Sequence, residues 1–233
     1  MPSDGTPAED NPNDGHRARL RARFVKGGAE SLPDYELLEL VLTTAIPRRD
    51  VKPLAKQLIS KFGTFAGVIS APLTALTDVK GISETTAVTL KVIEASAARM
   101  MKQDLLGTPI LSNWTKLQDY LLATLAHEKI EHFRILFLNK KNHLIADEVQ
   151  HSGTVDQTAA YPREVVKRAL ELGATAMILV HNHPSGDSTP STADIALTRQ
   201  IMAAAQGLAI VVHDHLVVAK SGVTSLKNQG FMS

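Results

Sequence analysis

Apolar residues recur at helical spacing in the first half of the chain, from residue 33 onward. Between residues 33 and 102, leucine, valine and isoleucine fall three and four positions apart, which is the period of an amphipathic helix. The run DYELLELVLTT, for example, places Leu37, Leu40 and Val41 on one side. The pattern is interrupted by turn residues at 79–83 and then resumes. It predicts a compact helical bundle.

After residue 108 the pattern changes to short strand-like runs that alternate with helices. Residues 133–138 (FRILFL) favour a strand, and 144–146 begin its partner after a turn at 139–142. The unbroken apolar run 176–180 (AMILV) is typical of a strand buried on both faces. Helices are expected at 162–172 and 194–206, and the last strands at 208–212 and 216–219. Together these elements predict a mixed sheet flanked by helices.

Composition divides the chain into three parts. Residues 1–15 are rich in Pro, Asp, Asn and Gly, cannot bury enough apolar surface to offset the entropy of ordering, and are predicted to be disordered. Residues 16–103 form the helical domain. A linker follows, and residues 108–233 form the α/β domain.

The absence of cysteine and the lack of a long apolar run limit the chemistry and the location. With no cysteine, disulfides and zinc–thiolate sites are excluded, so a metal must be held by His, Asp, Glu or water. No stretch approaches the roughly 18 apolar residues that span a bilayer, and the N-terminus does not match a secretory signal. We expect a cytoplasmic protein with no membrane partner. The net charge of +1 neither favours nor excludes nucleic acid.

A pair of histidines follows the buried strand. In extended backbone, His181 and His183 point to the same side and can converge on one ion. A loop rich in Pro, Gly, Ser and Thr then leads into a helix with Asp194 in its first turn. Two imidazole nitrogens and one carboxylate oxygen leave the fourth position of a tetrahedral zinc ion open to water, as in catalytic sites. The spacing therefore favours a catalytic zinc site.

Two alternatives bear on this interpretation. Ser191-x-x-Asp194 also resembles a helix capping box, although Asp is shorter than the usual Glu or Gln at the third position, and we favour the metal ligand. The segment HEKIEH, residues 127–132, imitates the H-E-x-x-H motif of metalloproteases. Its two histidines are five residues apart, about 140° around a helix, so they cannot share an ion there. It is interpreted as an exposed polar helix end.

The string VHNHPSGDSTPSTAD, with YPREVVKRAL upstream and VHDHLVV downstream, resembles the bacterial RadC family (UPF0758). The spacing His181-x-His183, Ser191 and Asp194 is similar to the JAMM motif of JAB/MPN metalloproteases. The likeness extends over the chain from His16 onward. One departure is Asn182, where the wider motif often has Ser or Thr.

The resemblance implies a three-layer JAB/MPN fold for residues 108–233, with Zn²⁺ held by His181, His183 and Asp194. It implies that Ser191 hydrogen-bonds the developing oxyanion or orients the reacting water. It also implies an upstream glutamate as general acid and base, for which Glu148 matches best and Asp147 is the neighbouring competitor.

Three further residue groups carry less specific expectations. Asp214 and His215 either orient a ligand from behind or form a core polar pair, and we favour the core pair. The N-terminal part resembles the helix-hairpin-helix region of the same family, so Lys80 and Gly81 are candidate phosphate contacts, with Ser83 in place of the usual second glycine. The basic run 16–26 is either a solvated helix face, which we favour, or a phosphate-binding patch.

The sequence thus predicts a zinc-dependent hydrolase that cleaves a peptide or isopeptide amide bond in a protein or peptide substrate. The alternative is a DNA-binding, repair-associated protein that uses the helical domain, with the JAMM domain as an accessory or inactive module. A zinc nucleobase deaminase is excluded, because its P-C-x-x-C ligands are missing.

Overall fold

The computed structural model describes residues 12–153 and 161–232. These residues divide into two compact units, one that ends at Ala95 and one that begins at Ser96. Most of the expected disordered tail, residues 1–11, lies outside the described residues. Helix α1 begins at Pro12, inside the segment expected to be disordered.

The first unit is helical, as the apolar spacing predicts. Its core contains Leu38, Leu42, Leu54 and Leu58, so the helix over 34–45 buries Leu38 and Leu42 rather than the predicted Leu37 and Leu40. Gly63 ends the third helix with φ +89°, a left-handed conformation that favours glycine. The helices are α1 (Pro12–Gly27), α2 (Asp34–Ala45), α3 (Lys52–Phe62), α4 (Phe65–Ile69), α5 (Leu73–Thr77) and α6 (Glu84–Leu105), the last of which contains the division at Ala95.

The second unit alternates helices and strands. After a short 3-10 segment (Ile110–Asn113), its elements are α7 (Trp114–Leu125), β1 (Glu131–Leu138), β2 (Leu144–Gly153), α8 (Pro162–Glu171), β3 (Ala176–Asn182), α9 (Thr192–Gln206), β4 (Val211–Ala219) and β5 (Gly222–Ser225).

The strands described in the second unit form one mixed sheet of five, in the order β2-β1-β3-β4-β5. Only β3 and β4 are parallel, and the other neighbours are antiparallel. Phe133 on β1 lies opposite His181 on β3. The expected strands at 208–212 and 216–219 are instead one strand, β4, which begins only at Val211. Residues 208–210 bring the chain out of α9, with Ala209 in a left-handed turn at φ 54°.

Helices cover both faces of the sheet, so the α/β unit has the expected layered architecture. Leu136 and Ile178 pack with α7 on one face, whereas Leu179 packs with residues of α8 and α9 on the other. This arrangement explains why β3 is buried along its whole length and reads as an unbroken apolar run. In the described ranges, no helix is long and apolar enough to cross a membrane.

Candidate metal centre

Three donor atoms converge where β3 ends and α9 begins. His181 Nε2 lies 2.9 Å from His183 Nε2 and 3.3 Å from Asp194 Oδ1. His183 Nε2 lies 3.5 Å from Asp194 Oδ2. Within the described part of the chain, these three residues form the one group of His, Cys, Asp or Glu side chains arranged to hold a metal ion. We refer to them as the His–His–Asp cluster.

A chain of hydrogen bonds fixes the ring of His181 from behind. His181 Nδ1 lies 2.8 Å from His215 Nε2, and His215 Nδ1 lies 2.6 Å from Thr198 Oγ1. Thr198 Oγ1 donates its only proton to the backbone carbonyl of Asp194 at 2.6 Å. Thr198 therefore accepts from His215, which in turn accepts from His181 Nδ1–H. This assignment leaves His181 Nε2 with a lone pair directed at the cluster.

The ring of His183 is fixed by the loop that follows it. Its Nδ1 donates to the backbone carbonyl of Asp187 at 2.9 Å, so its Nε2 also carries a lone pair towards the cluster when the ring is neutral. The Asp194 carboxylate beside it raises the pKa of His183, and burial acts in the opposite direction. Burial also tends to raise the pKa of Asp194, but the neighbouring His181 and His183 and the hydrogen bond from Ser191 lower it well below its ordinary value.

Asp194 also belongs to a capping box at the start of α9. The Ser191 hydroxyl accepts a hydrogen bond from Asp194 N–H at 3.2 Å, and Asp194 Oδ2 accepts from Ser191 N–H at 2.7 Å. The alternative that the sequence analysis disfavoured is therefore present. It coexists with the cluster, because Oδ1 remains directed at His181 while Oδ2 completes the cap.

The donor set fits zinc. With zinc–ligand distances of about 2.0–2.1 Å, ligand atoms of a tetrahedral site lie about 3.3 Å apart, close to the separations seen here. Two lone pairs and a carboxylate that face one another repel unless a cation lies between them. Three protein donors leave one tetrahedral position open.

Glu131, at the start of β1, is a carboxylate near the cluster that the sequence analysis missed. Phe133 lies opposite His181, and side chains two residues apart on a strand share a face. Glu131 lies two residues before Phe133, and His183 lies two residues after His181. Both are therefore expected on the face that Phe133 and His181 share. Burial raises the pKa of Glu131, and the charges of His181, His183 and Asp194 act on it. It lies inside the HEKIEH segment, which is not a helix end but the approach to a strand.

The structure does not bring Glu148 to the cluster. Glu148 is on β2, with β1 between it and β3, so about 10 Å of sheet separates it from His181. Its two carboxylate oxygens accept hydrogen bonds from Arg168 at 2.7 and 2.8 Å. Those bonds lower the pKa of Glu148 and occupy the carboxylate. Its competitor Asp147 accepts a hydrogen bond from Tyr120 on the α7 side of the sheet.

Asp214 and His215 make different contacts. His215 contacts the candidate ligand His181, and burial lowers the pKa of His215 well below its ordinary value, so it is neutral. Asp214 instead accepts hydrogen bonds from Ser225 Oγ at 2.6 Å and Lys227 N–H at 3.1 Å, which ties β4 to the C-terminal turn. Of the two, His215 alone contacts a candidate ligand, whereas Asp214 has the structural role that the sequence interpretation favoured for both.

The candidate phosphate contacts lie in the first unit. Gly81 has φ +100°, and a Cβ there would lie 2.6 Å from Arg49 Nη2. The positive φ favours glycine in this turn, whereas the end of the flexible Arg49 side chain can move aside; Lys80 is exposed. A phosphate contact at either residue stays a prediction.

The basic run is partly used inside the first unit. Arg17 donates to the carbonyls of Pro47 and Arg49, and His16 lies 2.8 Å from Glu39. These contacts hold helices and loops together. The basic run 16–26 is thus not simply a solvated helix face. Some of its side chains make contacts within the unit, so the run as a whole is not available to bind phosphate.

The fold and the cluster define an α/β domain of the JAB class with a candidate metal centre. The RadC-like JAB domain family matches residues 111–231, and the UPF0758 N-terminal family matches residues 15–88. The chain belongs to the UPF0758 family. A UPF0758 protein of Rhodobacter capsulatus is 55% identical over 213 residues, which cover 91% of this chain and 100% of that protein. A UPF0758 protein of Ruegeria pomeroyi is 52% identical over 217 residues, 93% of this chain and 97% of that protein.

Proposed function

We propose that this protein is a zinc-dependent hydrolase that cleaves a peptide or isopeptide amide bond. The observation that carries the proposal is the convergence of the His–His–Asp cluster with the adjacent carboxylate of Glu131. Zinc held by His181, His183 and Asp194 would supply Lewis acidity and would lower the pKa of a reacting water towards neutrality.

Glu131 is the proposed proton carrier. The attacking water adds to the carbonyl carbon, and the Glu131 carboxylate accepts the proton that the water loses. It then returns that proton to the nitrogen as the carbon–nitrogen bond breaks, which yields a carboxylic acid and an amine. Burial supports this role, because it raises the pKa of Glu131 towards the working pH.

Ser191 is the proposed partner of the substrate oxygen. Its Oγ accepts from Asp194 N–H, which leaves the hydroxyl proton available to another acceptor. A hydroxyl held by the helix cap can donate to the oxygen on which negative charge develops. The substrate class we propose is a protein or peptide amide.

The test combines metal analysis with hydrolysis of a library of linear and lysine-branched peptides, read out by mass spectrometry. We expect about one zinc per chain in the wild type, little in His183→Ala, and turnover in the wild type alone of these two. Glu131→Gln should keep zinc and lose about 100- to 10,000-fold in turnover.

Glu148→Gln is the matched control, because it makes the same chemical change on a neighbouring strand away from the cluster. It should keep both zinc and turnover. Zinc-free wild-type protein would contradict the proposal, as would unchanged turnover in Glu131→Gln. A loss of turnover in Glu148→Gln without a loss of folded protein would return the proton role to Glu148.

A further inference from the structure

Asn182 lies between the two histidine ligands and is 1% exposed. Its side-chain amide reaches across to the start of β1. Asn182 Oδ1 accepts a hydrogen bond from His132 N–H at 2.8 Å, and Asn182 Nδ2 donates to the carbonyl of Ile130 at 3.0 Å. These are the two peptide groups that flank Glu131. One side chain therefore holds the backbone on both sides of the Glu131 Cα.

The side chain of Asn182 bonds to β1 just beyond the point where the backbone pairing of β1 with β3 ends. The last pair in that ladder is Phe133 with His181. Beyond it, the amide of Asn182 supplies one acceptor and one donor to β1, as a peptide group would. A hydroxyl or methyl side chain is too short and has too few polar atoms to satisfy both partners. The pair of bonds thus requires a side-chain amide of this length.

We infer that Asn182 is a positioning residue whose amide clamps the backbone on both sides of Glu131 and so holds that carboxylate beside the His–His–Asp cluster. The inference rests on the proposed function for its catalytic meaning, although the clamp itself is a property of the metal-free protein. The residue between the two histidines thus has a positioning role separate from metal binding. A shift of about 1 Å in a catalytic group costs up to about 100-fold in rate, so the clamp bears directly on turnover.

The decisive variant is Asn182→Ala, and its matched control is Asn139→Ala. The Asn139 amide oxygen also accepts backbone hydrogen bonds, from Lys141 N–H at 2.9 Å and His143 N–H at 3.1 Å, but at the opposite end of β1. Both variants remove a side-chain amide that braces the same strand. Only Asn182 braces Glu131.

The first measurement is hydrogen exchange of individual backbone amides by NMR in the metal-free protein. In Asn182→Ala we expect the His132 amide to exchange about tenfold faster, which is the effect of one lost hydrogen bond, with little change at Ile135 in the middle of β1. Asn139→Ala should leave the His132 amide unchanged. Asn182→Ser, which keeps one polar atom, should be intermediate and serves if Asn182→Ala does not fold.

The second measurement is the crystal structure and kinetics of the zinc-loaded variants. We expect Asn182→Ala to retain zinc affinity, because its ligands are untouched, but to show a displaced Glu131 carboxylate. Turnover number should fall about 10- to 100-fold with little change in KM. Asn139→Ala should match the wild type in all of these.

An unchanged exchange rate at His132, or an unmoved Glu131 in the folded Asn182 variants, would overturn the clamp. Zinc-loaded wild type that hydrolyses nothing would instead overturn the proposed function. In that case the exchange rates and the position of Glu131 still decide whether Asn182 holds this segment of β1.

Discussion

His215 Nε2 lies 2.8 Å from His181 Nδ1, so a fully buried histidine on β4 supports the ring of a candidate ligand on β3. Partners of this kind fix the tautomer and the orientation of a metal-binding imidazole. We expect His215→Ala to weaken zinc binding about 10- to 100-fold, measured by competition with a chelator.

The control for this prediction is His213→Ala on the same strand, whose ring contacts Asn142 away from the cluster. It should bind zinc as the wild type does. If His215→Ala folds and binds zinc with wild-type affinity, the support by His215 is not needed.

The roles of Ser191 as helix cap and as hydrogen-bond donor can be separated by substitution. Asparagine caps helices as well as serine does, whereas alanine costs about 1 kcal/mol at such a position. We therefore expect Ser191→Asn to keep the free energy of unfolding but lose turnover, and Ser191→Ala to lose both.

Thr64→Ala removes a similar cap, the bond from Gly67 N–H at the start of α4, and serves as the control. It should lower stability and leave turnover per folded molecule unchanged. Wild-type turnover in Ser191→Asn would restrict Ser191 to its capping role.

Removal of metal should destabilise the protein. The cluster joins the end of β3 to the first turn of α9, so an ion bound there stabilises the folded state by about 2.7 kcal/mol when free metal is 100 times its dissociation constant. We expect a chelator to lower the thermal midpoint of the zinc-loaded wild type. The midpoint of His183→Ala should not respond, and an equal response in both proteins would place the stabilising ion elsewhere.

Alkaline pH should destabilise the protein through Tyr120. Burial raises the pKa of Tyr120 above its ordinary value of 10.0, and Asp147 acts in the same direction. Above pH 10 the unfolded chain loses this proton while the folded protein keeps it. The free energy of unfolding therefore falls as pH rises.

Tyr120→Phe should make this fall shallower in urea denaturation between about pH 9 and 11. Tyr161→Phe is the control, because Tyr161 is exposed and should leave the wild-type slope unchanged. Equal slopes in the wild type and Tyr120→Phe would contradict the prediction.

Local pattern was sufficient to predict which residues form the candidate metal cluster. His181 and His183 follow a run whose unbroken apolar character identifies a buried strand, and Asp194 lies in the first turn of the next helix. Each of these positions depends on the period of one element and on a short loop. No knowledge of strand pairing is needed to place them together.

The carboxylate that lies near the cluster could not be predicted in the same way. Whether Glu131 or Glu148 approaches the cluster depends on the strand order and on the register of β1 against β3, which distant residues determine. One signal was available, since extending the expected strand 133–138 back by two residues puts Glu131 on the face of Phe133. That extension was not made, because the segment HEKIEH was interpreted as a helix end.

The capping box illustrates a different limit. From the sequence, helix cap and metal ligand were alternative roles for Asp194. The structure shows the cap and the cluster together, because the two oxygens of the Asp194 carboxylate point in different directions. Spacing alone cannot show how two oxygens are shared.

The hydrogen-bonded chain from His181 through His215 and Thr198 ends on the backbone carbonyl of Asp194, so it begins at one donor of the cluster and returns to another. Two of the three candidate ligand residues are thus linked to each other through the protein. A cation that bound here would meet side chains whose rotamers these hydrogen bonds already set, so its binding would order few further side chains.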